Sequence, residues 1–341
     1  MSQKQTALVQ VRTPTYKRAD ALRRCLQSLQ AQTWQNWVCD VYDDDPQGSA
    51  KAVCDELRDP RIFYNHNQPQ RFASRNIDQC FSRDNPRNAD YFCVAEDDNL
   101  VLPEFMAENI ALCEREGVNI ILRNQLMEYA SGTPEARFSD FGILDSRFVE
   151  GRYEPDLFRM SLIPGIGVSN GGLFWSKSAK SDLEIAYPCN ATLQEYLRTF
   201  TIIEDIYVAM KPLAVWAQNG EQTTRDLGDR ASYLRRELNL KRGIQMLQQE
   251  TWRLAGDGWR RTFLDTERFR YDRRDRAQAL VKALIPARVG RVLTWREKLE
   301  LAARGLLIRT VGTPEEQLAG FIASRRRARS AAPDEVADLS R

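Results

Sequence analysis

Histidine is almost missing from this chain of 341 residues: His66 is the only one. Ser-His-Asp hydrolysis would rest on that single side chain, and zinc sites built from several imidazoles are excluded. Acid–base chemistry therefore falls to carboxylates, tyrosine, lysine or cysteine. His66 itself reads as a loop residue near a ligand rather than a catalyst. The cysteines Cys25, Cys39, Cys54, Cys80, Cys93, Cys113 and Cys189 show no C-x₂-C spacing. Most lie in apolar patterns, as reduced core thiols of a cytosolic protein do. There is no run of 18 apolar residues and no signal-like start, so the expectation is a cytoplasmic chain without a membrane span. Internal repeats and long low-complexity tracts are absent too. A net charge of +2 gives no case for nucleic acid as a partner.

That small net charge hides an uneven distribution. From Trp252 to Arg341 there are 20 Lys and Arg against 12 Asp and Glu, a net +8; the remainder has 29 against 35, a net −6. An acidic half and a basic C-terminal part are thus distinct objects.

The densest signal is Tyr91-Phe92-Cys93-Val94-Ala95-Glu96-Asp97-Asp98-Asn99. Tyr91 to Ala95 has the continuous apolar character of a buried parallel strand. It ends in three consecutive acids, and ligands of open α/β sheets bind beyond the carboxyl ends of strands. Three such carboxylates repel one another unless a cation joins them. Mg²⁺ bound to a nucleotide diphosphate is suited to that, because it takes one or two carboxylates plus phosphate oxygens. The competing reading is a solvated acidic turn.

The surrounding pattern repeats this arrangement. A strand over 7–12 ends at Thr13-Pro14-Thr15-Tyr16-Lys17-Arg18, where Pro14 would close the strand. A helix follows from Asp20, with Leu22, Leu26 and Leu29 at helical spacing. A second strand over 37–42 ends at Asp43-Asp44, and a helix covers 49–57. A short strand over 61–64 precedes Arg71-Phe72-Ala73-Ser74-Arg75-Asn76 at a helix start. Strands alternating with helices predict a mainly parallel sheet with a nucleotide-sized site along one edge. A carboxylate at Asp43 or Asp44 suits the N3–H of a uracil or thymine, though either could instead cap the next helix. Arg75 can pair with Asp44 or with a phosphate.

In order and spacing, these pieces resemble a family 2 glycosyltransferase of the GT-A fold over residues 7–215. The matching segments are Pro14 to Arg18, Gln32-Thr33-Trp34, Asp43-Asp44, Ser74-Arg75-Asn76, Glu96 to Asn99 and Glu204-Asp205. The chain is most similar to the spore-coat polysaccharide branch. It departs in having Glu96 as the first acid of the Asp-x-Asp pattern, which leaves open whether Glu96 or Asp97 faces the ribose. The Gln-x-x-Arg-Trp motif of processive synthases is absent.

The resemblance implies a GT-A α/β fold, a mixed and mainly parallel sheet flanked by helices, with a C-terminal helical extension. It implies a catalytic domain over 1–232, with a nucleotide half to about residue 100 and an acceptor half beyond it. A basic amphipathic helical extension over 233–324 and a disordered tail over 325–341 would follow. The implied chemistry is inverting transfer from a UDP- or dTDP-sugar to a saccharide or lipid-linked saccharide, as in cell-surface polysaccharide synthesis. Nucleotide contacts fall on Pro14, Thr15, Tyr16, Arg18, Asp44, Arg75, Glu96 and Asp97. Asp98 would hold Mg²⁺ or Mn²⁺. Asp205, at the start of an apolar helix pattern (Ile206, Val208, Ala209, Met210), would be the catalytic base. Asn170, Gly171, Gly172 and Glu204 would border the acceptor.

Each of these has a plainer alternative. Acids at a helix start are common, Asn170 to Gly172 fits a β-bulge, and the polar stretch 218–232, with Arg225 and Arg230, fits a surface linker as well as a lid. Helices after Arg273, broken at Pro286 and near Gly312-Thr313-Pro314, suit an anionic surface on the cytoplasmic face of the inner membrane. They equally suit packing on the catalytic domain or on a second subunit. A catalytically degenerate scaffold or carbohydrate-binding protein is a rival, and so is a sugar-nucleotide pyrophosphorylase. The latter wants a glycine-rich loop after the first strand, where this chain has none.

Overall fold

The computed structural model describes residues 6–165, 167–218 and 229–330, with side chains to 326. The chain first lays down β1 (Val9–Thr15), α1 (Ala19–Gln30), β2 (Trp37–Asp43), α2 (Ala50–Leu57), β3 (Ile62–His66), α3 (Phe72–Gln79) and β4 (Tyr91–Val94). These strands pair in parallel, with β1 between β2 and β4 and β3 outside β2. Alternating helices make that geometry, because a parallel pair needs a crossover connection. The four strands' carboxyl ends therefore point the same way.

The sheet continues through β5 (Leu100–Val101), α4 (Phe105–Glu116), β6 (Ile120–Tyr129), β7 (Arg137–Gly142), β8 (Gly151–Tyr153) and α5 (Pro155–Arg159). After it come β9 (Leu173–Ser176), α6 (Ala191–Thr201) and β10 (Ile206–Gln218). The full order is β3-β2-β1-β4-β9-β6-β10-β5, with β7 on β6 and β8 on β10. β9 is antiparallel to both β4 and β6, and β10 is parallel to β6. β10 thus runs in the direction of β1 and β4, a fact that decides which acids meet.

Alternation along the strands feeds two cores. Cys93 and Ala95 join Val9, Val11, Leu22, Leu26 and Leu29 on one face, while Phe92 and Val94 join Phe148, Leu173 and Ile206 on the other. Leu22, Leu26 and Leu29 are fully buried, each worth about 1.5–3 kcal/mol in area removed from water. β1's opposite face is polar and largely hydrogen-bonded: Arg12 Nη1 donates to the Ser82 carbonyl at 2.6 Å and Gln10 Nε2 to Asp40 at 2.7 Å.

The C-terminal part is α7 (Arg230–Leu254), α8 (Asp257–Thr262), α9 (Arg273–Lys282), α10 (Trp295–Val311) and α11 (Leu318–Ser330). It has no core of its own. Ala255, Phe263, Phe269, Ala277 and Leu280 share a cluster with the sheet residues Phe92 and Val208. Gly305 lets α10 cross the end of α9 closely, since a Cβ there would lie 2.3 Å from the Lys282 carbonyl oxygen. Among the described residues no helix is long and apolar enough to cross a membrane.

Three expectations about elements need correction. Pro14 does not end β1, which continues to Thr15. Ala95 N donates to Arg12 O and Asp44 N to Thr15 O, so residues 12 and 14 face β4 and residues 13 and 15 face β2. β4 has already ended at Val94, and a missing N–H at Pro14 therefore costs no ladder bond. Ile206 onward is a strand of 13 residues, not a helix; burial on both faces gives a continuous apolar run that periodicity alone cannot assign. The tail is helical to Ser330, and Arg325 and Arg326 pair with Asp182 and Glu250 at 2.7 Å. Residues 331–341 lie outside the described residues, as do 219–228 of the lid-or-linker segment.

Candidate functional site

At the carboxyl ends of β1, β4 and β10 lies a cavity of about 310 Å³. Pro14, Thr15, Tyr16 and Arg18 line it from the end of β1, and Glu96, Asp97 and Asp98 from the end of β4. Trp216 and Ala217 come from the end of β10, Asn76 and Ile77 from α3, and Asn170, Ala191, Thr192 and Glu195 from around α6. The volume is at the lower end of the small-molecule range.

Asp97 is buried and fastens the first loop to the fourth strand. Its Oδ2 accepts from Thr15 Oγ1 at 2.8 Å, and Arg18 reaches its Oδ1 at 3.3 Å. Arg18 Nη1 also lies 2.6 Å from Asp98 Oδ2. Even so, burial, with repulsion from Asp98 second, pushes the Asp97 carboxyl up to about 7. Burial raises Glu96 too, with Asp98 again next. Glu96 Oε1 accepts from Asn170 Nδ2 at 3.0 Å, and Asn170 Oδ1 accepts from Arg198 Nη1 at 2.9 Å. Arg198, fully buried, meets Asp78 at 2.7 Å, and Asp78 also accepts the amides of Ile185 and Ala186. A continuous polar chain thus holds Glu96 from behind.

Glu195 supplies a further carboxylate from α6. Burial, reinforced by Glu96, lifts it to about 8. The sequence reading missed it. Leu193-Gln194-Glu195-Tyr196-Leu197-Arg198 looks like an ordinary amphipathic helix turn, and only the packing of α6 aims Glu195 into the cavity. Gln194 Nε2 contributes to that packing by donating to Ser74 O of α3 at 3.0 Å.

Several expected site residues lie elsewhere. Asp44 does not line the cavity. Its oxygens accept the amides of Arg71 and Phe72, both at 2.7 Å, and Asn67 Nδ2 at 3.0 Å. It therefore shapes the loop before α3. Asp43 makes the capping contact, accepting from Ala50 N at 2.9 Å. Arg75 is exposed on α3 and forms no ion pair with Asp44. His66 is engaged through both ring nitrogens, with Asp45 O at 2.8 Å and Gln68 at 3.0 Å. Gly171 and Gly172 pack against β6 and do not line the cavity; a Cβ on Gly172 would sit 2.7 Å from Arg123 O.

The largest correction concerns Glu204 and Asp205. They precede β10, whose far end reaches the cavity. Ile206 and Ala217 pair with Ile120 and Glu128 of β6, eight residues apart on that strand, roughly 26 Å at strand rise. Asp205 is half-buried at the opposite end of the sheet and pairs with Arg152 at 3.3 Å. Glu204 accepts from the amides of Lys180 and Ser181 at 2.6 and 2.8 Å and from Asn119 at 3.0 Å. Neither reaches Asp97 or Asp98.

A divalent ion suits this cavity only together with a ligand. Among the described residues no three or more His, Cys, Asp or Glu side chains are grouped to enclose an ion. Asp98 offers one carboxylate inside the cavity, next to two others lifted by burial and repulsion. That donor set fits a hard cation which completes its shell with phosphate oxygens.

Residues 11–166 match the model of glycosyl transferase family 2. No curated protein matches the chain in sequence. The Staphylococcus aureus TarS 1-349 crystal structure with UDP-GlcNAc is similar in fold: TM-score 0.52 at 12% identity, covering 96% of this chain and 93% of that one. The same protein with UDP gives 0.49 at 11% identity, covering 97% and 94%. The Pyrobaculum calidifontis mannosyltransferase PcManGT with GDP-Man and Mn²⁺ gives 0.40 at 13% identity, covering 96% and 76%.

Proposed function

We propose that this chain is a family 2 glycosyltransferase that moves a sugar from a UDP- or dTDP-sugar to a hydroxyl of a saccharide or lipid-linked saccharide, with inversion. The observation that carries this reading is the cavity itself. It joins a diphosphate-suited acid cluster on β4 to an independently positioned carboxylate, Glu195, on α6. A nucleoside binds against Pro14, Thr15 and Tyr16, and Asp97 holds that loop through Thr15. Asp44 acts indirectly, by fixing the loop before α3.

In the reaction, the acceptor O–H gives its proton to a Glu195 carboxylate oxygen. The acceptor oxygen bonds to the anomeric carbon while the bond from that carbon to the diphosphate oxygen breaks, its electron pair leaving with the diphosphate. A carboxyl lifted to about 8 is a stronger base than a solvated one and titrates near neutral pH, where a general base works best. Mg²⁺ or Mn²⁺ held by Asp98 and the diphosphate would stabilise the departing charge as a Lewis acid. Arg18, now beside Asp98, is placed to pair with a phosphate oxygen instead.

TarS was crystallised with UDP-GlcNAc, which makes UDP the first nucleotide to try. The test is a melting-temperature panel of UDP, dTDP, GDP and CDP with and without Mn²⁺, since a ligand that binds only the folded state raises stability. UDP or dTDP should give the largest shift, and Mn²⁺ should increase it. A larger shift with GDP, or no shift with any nucleotide, defeats the donor assignment. Retention of the donor's anomeric configuration in the product defeats single displacement by Glu195.

A further inference from the structure

Helix α10 buries one face and, among the described residues, leaves the other without a partner. Gly305 and Ile308 face inward, and Gln245 Nε2 of α7 donates to Gly305 O at 3.0 Å. Outward stand Trp295, 74% exposed, Leu299, 61%, and Leu306, 54%; Leu307 and Val311 flank them. At about 100° per residue, Trp295, Leu299, Ala302 and Leu306 fall within an arc of about 60°. Five of the twelve large hydrophobic side chains exposed on the described surface therefore sit on this one helix. A contiguous apolar stripe of this kind marks an interaction surface.

Charge says what covers it. Arg296 and Arg309 border the stripe on the helix, Arg291 lies just before it, and none of the three makes an ion pair or side-chain hydrogen bond among the described residues. The two acids of the helix are neutralised, Glu297 by Arg274 and Glu300 by Arg304. A second copy docked through the same stripe would bring identical unpaired arginines along one shared rim, since a two-fold interface is self-complementary. An anionic lipid surface answers both features: apolar side chains enter the acyl boundary, Trp295 sits at the interface, and arginines meet phosphates.

We propose that α10 is a membrane-docking helix that lies in the plane of an anionic bilayer. Trp295, Leu299 and Leu306 enter the boundary between headgroups and acyl chains, and Arg291, Arg296 and Arg309 contact lipid phosphates. This surface is independent of the transfer chemistry proposed for the cavity.

The test uses the full chain with vesicles of 3:1 phosphatidylcholine and phosphatidylglycerol, and of phosphatidylcholine alone. Co-sedimentation should occur with the anionic vesicles and weaken as salt rises. Leu299→Asp with Leu306→Asp should lower it by at least ~10-fold while the circular dichroism spectrum is unchanged. Arg296→Glu with Arg309→Glu should lower it less and flatten the salt dependence. If the aspartate variant misfolds, the conservative Trp295→Phe serves. The difference in fluorescence between wild type and Trp295→Phe should shift to the blue when anionic vesicles are added. Absence of sedimentation at low salt overturns the proposal, as does equal binding to neutral vesicles. So does a wild-type dimer that Leu299→Asp converts to monomer, since α10 then belongs to a second copy.

Discussion

Two acidic groups in this chain look alike in one dimension and differ in three. Glu96-Asp97-Asp98 follows β4, and Glu204-Asp205 precedes β10. Because β4 and β10 run in the same direction through β9 and β6, the first group stands at the sheet's carboxyl end and the second at its amino end. The first is buried and crowded with like charge, and burial, with repulsion from Asp98 second, raises Asp97 to about 7. The second is settled: Glu204 accepts four hydrogen bonds from protein donors and Asp205 pairs with Arg152 at the surface. A carboxylate is available for chemistry where its environment leaves it unsatisfied, and a motif does not report that.

The sharpest way to break this comparison is to move the base. Glu195→Gln keeps size and loses the proton acceptor, so transfer should fall by ~10²-fold or more while nucleotide-induced stabilisation is retained. Wild-type rates for Glu195→Gln together with inactivity of Asp205→Asn would restore the sequence-based assignment.

Removing the structural acid should act on stability instead. Glu204→Ala leaves the amides of Lys180 and Ser181 without their acceptor, at a cost of about 1–3 kcal/mol. Denaturant titration should show the loss, and kcat should be unchanged once the protein is folded.

Proton linkage separates the two ends again. Folded Glu195 and Asp97 hold protons at pH values where unfolded carboxyls have lost them. The stability they contribute is complete below the ordinary carboxylate range and is lost as pH rises through about 7 to 8. The melting temperature of the ligand-free protein should therefore climb as pH is lowered from 8.5 towards 6. Glu195→Gln should remove part of that slope, and an unchanged slope would argue that Glu195 is solvated.

The smallest effect belongs to Asp205→Asn. An exposed ion pair is worth under about 1 kcal/mol, so transfer should change less than about twofold and stability should barely move. A loss of transfer beyond tenfold in a folded variant would overturn the placement of the site.

Much was legible in advance. The alternation of strands and helices through Val94, the apolar face of α1 and the position of Asp97 and Asp98 at a strand's carboxyl end follow from local patterns: period, run length and the abrupt change from apolar to acidic. The pairing of Thr15 with Asp97 was foreshadowed by two polar strand ends in one parallel sheet. What the sequence could not decide is direction and distance. Ile206 to Gln218 is apolar on both faces, so period does not distinguish strand from helix, and with that choice goes the end of the sheet on which Asp205 lies. Asp78, Asn170 and the α6 residues Glu195 and Arg198 come from three distant stretches of chain and are brought together only because α6 packs on α3. Local chemistry picked out the acids that stand at a strand's carboxyl end. Tertiary packing alone chose which carboxylates face the cavity, because burial and neighbouring charge, which raise a carboxyl group's proton affinity, are properties of a place in the fold rather than of a stretch of chain.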